Sequence, residues 1–259
     1  NQFYDRIVYP PNKNEKNNVY LVKQNPFGAS PKLKKLMADY SFKKINNNVK
    51  VENKITRLIA KDLKINKSQI NFFKNEYDAL KKIFELFVPK YQEAIAQYPT
   101  WAVFYLLSKE LKVDVKYLLL KENKGSIQPL LKKIKETVSP KTKLIYLSSP
   151  NTVTGQHLKT EEFDRYLEDI PDNVIIVIDQ RFVDFSKSKS KNTFNPLKYL
   201  DKNVVIIRSF NNFYGVENLE NAYIIANERL SKFINETIVI NPVTKFDDDM
   251  MCEVYKDKT

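Results

Sequence analysis

Glycine is scarce in this chain, four in 259 residues, and histidine, cysteine and tryptophan occur once each. A single histidine, His157, excludes a histidine-rich metal centre, and a single cysteine, Cys252, excludes an internal disulfide framework. Such cysteine usage fits a cytoplasmic or other reducing compartment. No apolar run approaches the length of a spanning helix, and the first residues, NQFYD, do not place a basic stretch before an apolar one. No membrane partner is expected, although the absence of an initial methionine leaves a removed leader open.

Arginine is also scarce: six of the 43 basic residues, at 6, 57, 165, 181, 208 and 229, in a chain of formal net charge +12. A lysine-rich surface gains affinity for phosphate backbones by releasing counterions, so a basic nucleic-acid-binding module is one reading. Arginine, however, is the side chain that grips phosphates and base edges bidentately. Its scarcity favours a solvated lysine surface over a nucleic-acid partner.

What remains is ample for a core, since 42% of the residues are hydrophobic. Helical spacing is read over 31–40, with Ser30 as N-cap and Pro31 at the first helical position, and over 52–63, 77–87, 101–111, 127–138, 160–167 and 228–234. Strand patterns fall at 70–73, 94–97, 113–120, 144–147, 174–179, 204–207 and 223–225. Strands alternating with helices imply an α/β layered domain. Residues 43–50 and 186–191 read as loops, and 247–255 yields no element. Glu161, Glu162 and Asp164 read as the acidic opening turn of a helix, and His157 as a solvated loop residue.

Three of the strand patterns stop at polar turns: SPNTVTG at 149–155, DQRF at 179–182 and SFNNFYG at 209–215. Upstream stand QNPFGASP at 24–31 and YPTW at 98–101. In order and spacing these blocks resemble the class I/II aminotransferases, fold type I enzymes of pyridoxal phosphate, and within them the histidinol-phosphate aminotransferase and threonine-phosphate decarboxylase branch. That family writes the blocks as NENP(Y/F)GxSP, PEPTF, SPNNPTG, VVVDEAY and (T/S)FSK followed by (F/Y)GL. Gly28, Gly155 and Gly215 all fall on motif glycines. Glycine retained there suggests turns that demand positive φ.

The resemblance implies a three-layer α/β/α large domain with a mostly parallel mixed sheet over 31–240, an N-terminal arm at 1–30 and an unassigned segment at 241–259. The family's smaller C-terminal domain would be absent or truncated. It places Asp179 at the carboxylate that holds the pyridine nitrogen protonated, although a strand-end aspartate capping a turn reads the same way. Trp101 takes the ring-stacking position, or is simply a core or interface tryptophan. Thr152 stands at the asparagine that contacts the ring oxygen, with Asn151 beside it as a substitute. Phe182 lacks the hydroxyl of the family's tyrosine, and Ser209 keeps the hydroxyl that opens the last block.

The resemblance fails at the chemistry. Asn212 stands where the Schiff-base lysine belongs, and no lysine lies between Lys202 and Lys232. A carboxamide neither condenses with an aldehyde nor acts as a base near neutral pH. Glu220 stands at the phosphate-binding arginine, an exchange of attraction for repulsion of about 4 kcal/mol per charge at close range with an effective dielectric near 20. Asn211 replaces the serine before the lysine, and the glycine-rich turn whose amides would cradle the phosphate aligns with 73–78, which holds no glycine. The expectation is a binding or scaffolding pseudoenzyme subunit with no cofactor, or with pyridoxal phosphate held only noncovalently. It would pair as a homodimer or as a heterodimer with an aminotransferase-fold paralogue. The alternative is a pyridoxal-phosphate-dependent aminotransferase or decarboxylase subunit completed by a catalytic partner.

Overall fold

β-branched and leucine-rich runs with no polar alternation need cover on both faces, and helices supply it. The computed structural model describes residues 28–40, 53–119, 128–186, 194–215, 221–238 and 242–256. The first 27 residues, the loop at 43–50, most of that at 186–191, and Glu220 lie outside the described residues. In chain order the elements are α1 (Pro31–Ala38), α2 (Lys54–Leu63), β1 (Ile70–Phe73), α3 (Glu76–Phe87), β2 (Glu93–Tyr98), α4 (Ala102–Glu110), β3 (Asp114–Leu119), α5 (Gln128–Thr137) and β4 (Thr142–Ser148). They continue with α6 (Thr160–Leu167), β5 (Ile175–Asp179), β6 (Val204–Ser209), β7 (Ala222–Ile225), α7 (Glu228–Glu236) and α8 (Lys245–Lys256).

Among the described residues the strands form one seven-stranded sheet in the order β1-β7-β6-β5-β4-β2-β3. β7 runs antiparallel to β1 and β6, and the other neighbours are parallel. The expected mostly parallel mixed sheet is therefore present. Period-two alternation splits its side chains between two cores. Ile145, Leu147, Ile176, Ile178, Val204 and Ile206 join the core that contains residues of α2, α5, α6 and α8. Leu144, Tyr146, Ile175, Val177, Val205 and Ile207 join the other, with residues of α3, α4 and α7. Three layers follow directly from that division.

Local signals place several helix ends as read from the sequence. Ser30 accepts the Leu33 amide at 3.2 Å and Pro31 opens α1. The acidic opening of α6 is present, with Glu161 and Glu162 in its first turn. α8 is a correction, because it forms where no element was read. Thr244 and Asp247 close a reciprocal box, the Thr244 amide donating to Asp247 Oδ2 at 2.9 Å and the Asp247 amide to Thr244 Oγ1 at 3.1 Å. Aspartate takes the place of the usual glutamate or glutamine, which weakens the signal in the sequence. The helix then buries Met250, Met251, Cys252, Val254 and Tyr255.

Asp248, also buried on α8, ties the C-terminal segment to α2. Its Oδ1 accepts the Ile55 amide at 2.9 Å and its Oδ2 the Lys54 amide at 3.1 Å. Asn53, the residue preceding α2, makes no side-chain capping bond, so a residue nearly 200 positions away does that work. Asp248→Ala should cost about 1–2 kcal/mol, a typical loss for a helix cap, in urea unfolding. A change under ~0.5 kcal/mol would show that this cap does not form.

Candidate functional site

In an open α/β sheet, ligands gather beyond the carboxyl ends of the parallel strands. Here β4, β5 and β6 end side by side, with Ser148 paired to Asp179 and Asp179 to Ile207. Asp179, 1% exposed, is the last residue of β5. A carboxylate that deep is costly unless paired, and it is heavily paired. Tyr146 Oη donates to Oδ2 at 2.5 Å, and the Arg181 amide donates to Oδ1 at 3.0 Å. Arg181 Nε reaches Oδ1 at 2.9 Å and Oδ2 at 3.1 Å, while Nη2 reaches Oδ2 at 2.8 Å. Both carboxylate oxygens are already occupied by this chain's own donors.

The Arg181 guanidinium lies over the Trp101 ring, its Cζ 3.6 Å from the ring centre. Trp101 is the residue before α4 and has extended backbone. Arg181 is itself 6% exposed. One buried cation is thus held by an aromatic face and a carboxylate. Burial alone would raise the Asp179 pKa, but the Arg181 charge and hydrogen bonds, with the Tyr146 hydroxyl, hold it below the usual carboxylate value. Burial disfavours the Arg181 charge, yet Asp179 more than offsets it, with Glu76 adding on the same side, so protonation is held more firmly than usual. Burial, more than any neighbour, pushes the Tyr146 hydroxyl well above its ordinary value.

A second polar cluster lies after β6. Ser209 Oγ donates to Glu76 Oε1 at 2.6 Å, and Asn211 Nδ2 donates to Glu76 Oε2 at 3.0 Å. The Asn211 amide returns to Ser209 Oγ at 3.0 Å, which fixes the turn. Glu76 is the first residue of α3, whose cap is Asn75, accepting the Asp78 amide at 2.8 Å. A carboxylate at a helix N-terminus is favourably placed by the dipole. Asn212 is buried beside this cluster, its neighbour Asn211 being part of it.

The other residues singled out in the sequence are committed to loop structure. Asn151 Nδ2 donates to the Pro99 carbonyl at 3.0 Å, and Asn151 Oδ1 accepts the Val153 and Thr154 amides at 2.9 Å. It fastens the β4 turn to the segment that presents Trp101. Thr152 Oγ1 lies 3.5 Å from Ser148 Oγ. Phe182 stacks on Phe185 with centroids 6.0 Å apart. His157, read as solvated, is instead half-buried, with Nε2 3.4 Å from Ser186 Oγ, and burial lowers its pKa. The structure brings Asp179 and Trp101 together, and adds Arg181, Tyr146 and Glu76, which the sequence reading did not select. Arg181 carried a usable signal: one of six arginines, two residues beyond a strand-end aspartate. Among the described residues no cluster of three or more metal-ligating side chains occurs, and no helix is long and apolar enough to cross a membrane.

Residues 18–250 match the sequence profile of the family described as aminotransferase class I and II. Histidinol-phosphate aminotransferase 2 of Haemophilus influenzae is 28% identical over 213 residues, covering 82% of this chain and 57% of that protein. The chain therefore spans less than two thirds of that relative's length. A crystal structure of histidinol-phosphate aminotransferase from Sinorhizobium meliloti in complex with pyridoxal 5′-phosphate superposes with a TM-score of 0.74 at 15% identity, covering 92% of this chain and 64% of that one. L-threonine-O-3-phosphate decarboxylase from Porphyromonas gingivalis gives 0.73 at 19%, covering 90% and 67%.

Proposed function

The chain belongs to the class I and II aminotransferases, and from that premise we propose that it has lost covalent pyridoxal-phosphate catalysis and serves as a binding or scaffolding subunit. The observation that carries the reading is Asn212, a buried carboxamide in the block SFNNFYG where the family places its lysine. The coenzyme would supply an electron sink for carbanion chemistry. The residues present do not fit it. Asp179 would hold the ring nitrogen and Trp101 would cover the ring, but both are engaged by Arg181. Ser209 and Asn211 would face the phosphate, but both donate to the Glu76 carboxylate.

A second reading, a pyridoxal-phosphate-dependent aminotransferase or decarboxylase subunit completed by a catalytic partner, is favoured by the relatives' activities as named. Both readings include pairing with a second copy or with an aminotransferase-fold paralogue, which follows from the family resemblance; which reading holds is decided at the site, because fold alone assigns no activity. One preparation separates them. The purified protein is mixed with pyridoxal phosphate, reduced with borohydride and digested for mass spectrometry. The expected result is no stoichiometric adduct on any lysine, and a reduced adduct at one lysine would overturn the proposal. Sedimentation of the same sample tests pairing, which a monomer at micromolar concentration would remove.

A further inference from the structure

We propose that Arg181 and Glu76 are built-in occupants of the strand-end pocket, with the guanidinium filling a slot for a planar cation between Trp101 and Asp179. The inference rests on the reading that this chain no longer uses the coenzyme, and extends it by naming what fills the place and what else the place would accept. Each partner of the slot is one a planar monocation requires. The indole offers a π face at 3.6 Å, and the carboxylate takes guanidinium N–H donors on both oxygens at 2.8–3.1 Å. Tyr146 completes the carboxylate from the side with a bond of 2.5 Å. A lysine ammonium would satisfy the charge but not the flat face or the fork.

Glu76 holds the complementary position. Its two oxygens separately engage Ser209 and Asn211 at 2.6 and 3.0 Å, so a hydroxyl and an amide are already bound to an anion. A carboxylate fixed there repels an incoming phosphate. With cation and anion both supplied by side chains, the pocket keeps its shape and electrostatics with nothing bound. Truncating Arg181 should then leave a slot with its aromatic floor and its carboxylate intact, selective for guanidinium-like ions.

The test uses the whole chain with Arg181→Ala, and guanidinium chloride as the probe. Loss of a buried ionic partner should lower Tm by on the order of 10 °C. Guanidinium chloride at roughly 20 mM should recover half or more of that loss in a saturable manner, while sodium chloride at the same concentration should not. Wild type should show no such gain. Trp101 is the chain's one tryptophan, so its emission reports on this slot directly. Acrylamide quenching should increase in the variant and fall again with guanidinium. A folded variant without guanidinium-specific recovery would overturn the proposal. Pyridoxal phosphate is expected to give no recovery in this variant, and any recovery would overturn the part assigned to Glu76. Should Arg181→Ala fail to fold, Arg181→Lys carries the test, with quenching of Trp101 above wild type expected and unchanged quenching overturning it. A lysine adduct in wild type would sink the earlier reading and with it the premise of this one, whereas absence of guanidinium-specific recovery would overturn only what is assigned to the slot on Trp101.

Discussion

Asp179→Ala is expected to destabilise the fold by ~3–5 kcal/mol, the range for removing one partner of a buried ion pair. The reason is what stays behind. Arg181, 6% exposed, would keep its charge without its hydrogen-bonded counterion, with only the weaker attraction of Glu76 left to it, and the Tyr146 hydroxyl would lose its acceptor. Tyr146 is fully buried and Arg181 nearly so, which leaves little access to water to replace the lost partner. Asp179→Asn should cost less, because a carboxamide oxygen still accepts from Arg181 and Tyr146 while the charge is lost. Replacing Asp179 and Arg181 together by alanine should cost much less than the sum of the single losses, since no uncompensated charge remains. Urea unfolding of the four proteins closes the cycle, and additive losses would show that the pair is not coupled. The pair also sets an acid limit. Asp179 has a folded pKa below its unfolded value of about 3.9, so its contribution is present above that pH and lost as pH falls through the folded pKa. The acid limb of wild-type stability should flatten in Asp179→Asn.

The strands were legible because β4, β5 and β6 are buried on both faces and so read as unbroken apolar runs. The aspartate was legible because a carboxylate ending such a run needs a reason to be there. Its partner was not. Arg181 follows at i+2, and only the turn after β5 folds its side chain back onto Asp179 instead of out to solvent. Glu76 was hidden differently, since its two partners lie more than 130 residues away in the chain. α8 was missed because its acidic opening looks like a solvated run, and burial of Asp248 depends on two amides of a distant helix. The features that escaped depend on how a turn folds, as at Arg181, or on contacts far along the chain, as at Glu76 and Asp248.

Gly215→Ala should be among the most damaging small substitutions in the chain, at about 2–5 kcal/mol from backbone strain and overpacking together. Gly215 has φ +64, so any side chain adds the cost of left-handed backbone. A Cβ there would also stand 2.5 Å from the Gly28 carbonyl carbon, 2.6 Å from its oxygen and 2.9 Å from the Ala29 nitrogen. Backbone atoms cannot swing aside as a side chain would. Gly155, at φ +70 with open space around it, separates the two effects. Its alanine variant should lose only the strain, about 1–2 kcal/mol. The difference measures the close approach between two motif glycines, one leading into α1 and the other ending the turn that carries Asn211 and Asn212. Chemical denaturation of both variants decides the matter: equal losses would mean that the two segments do not touch. Unequal losses would mean that this turn is clamped from the N-terminal side, where the Gly28 and Ala29 backbone stands against Gly215.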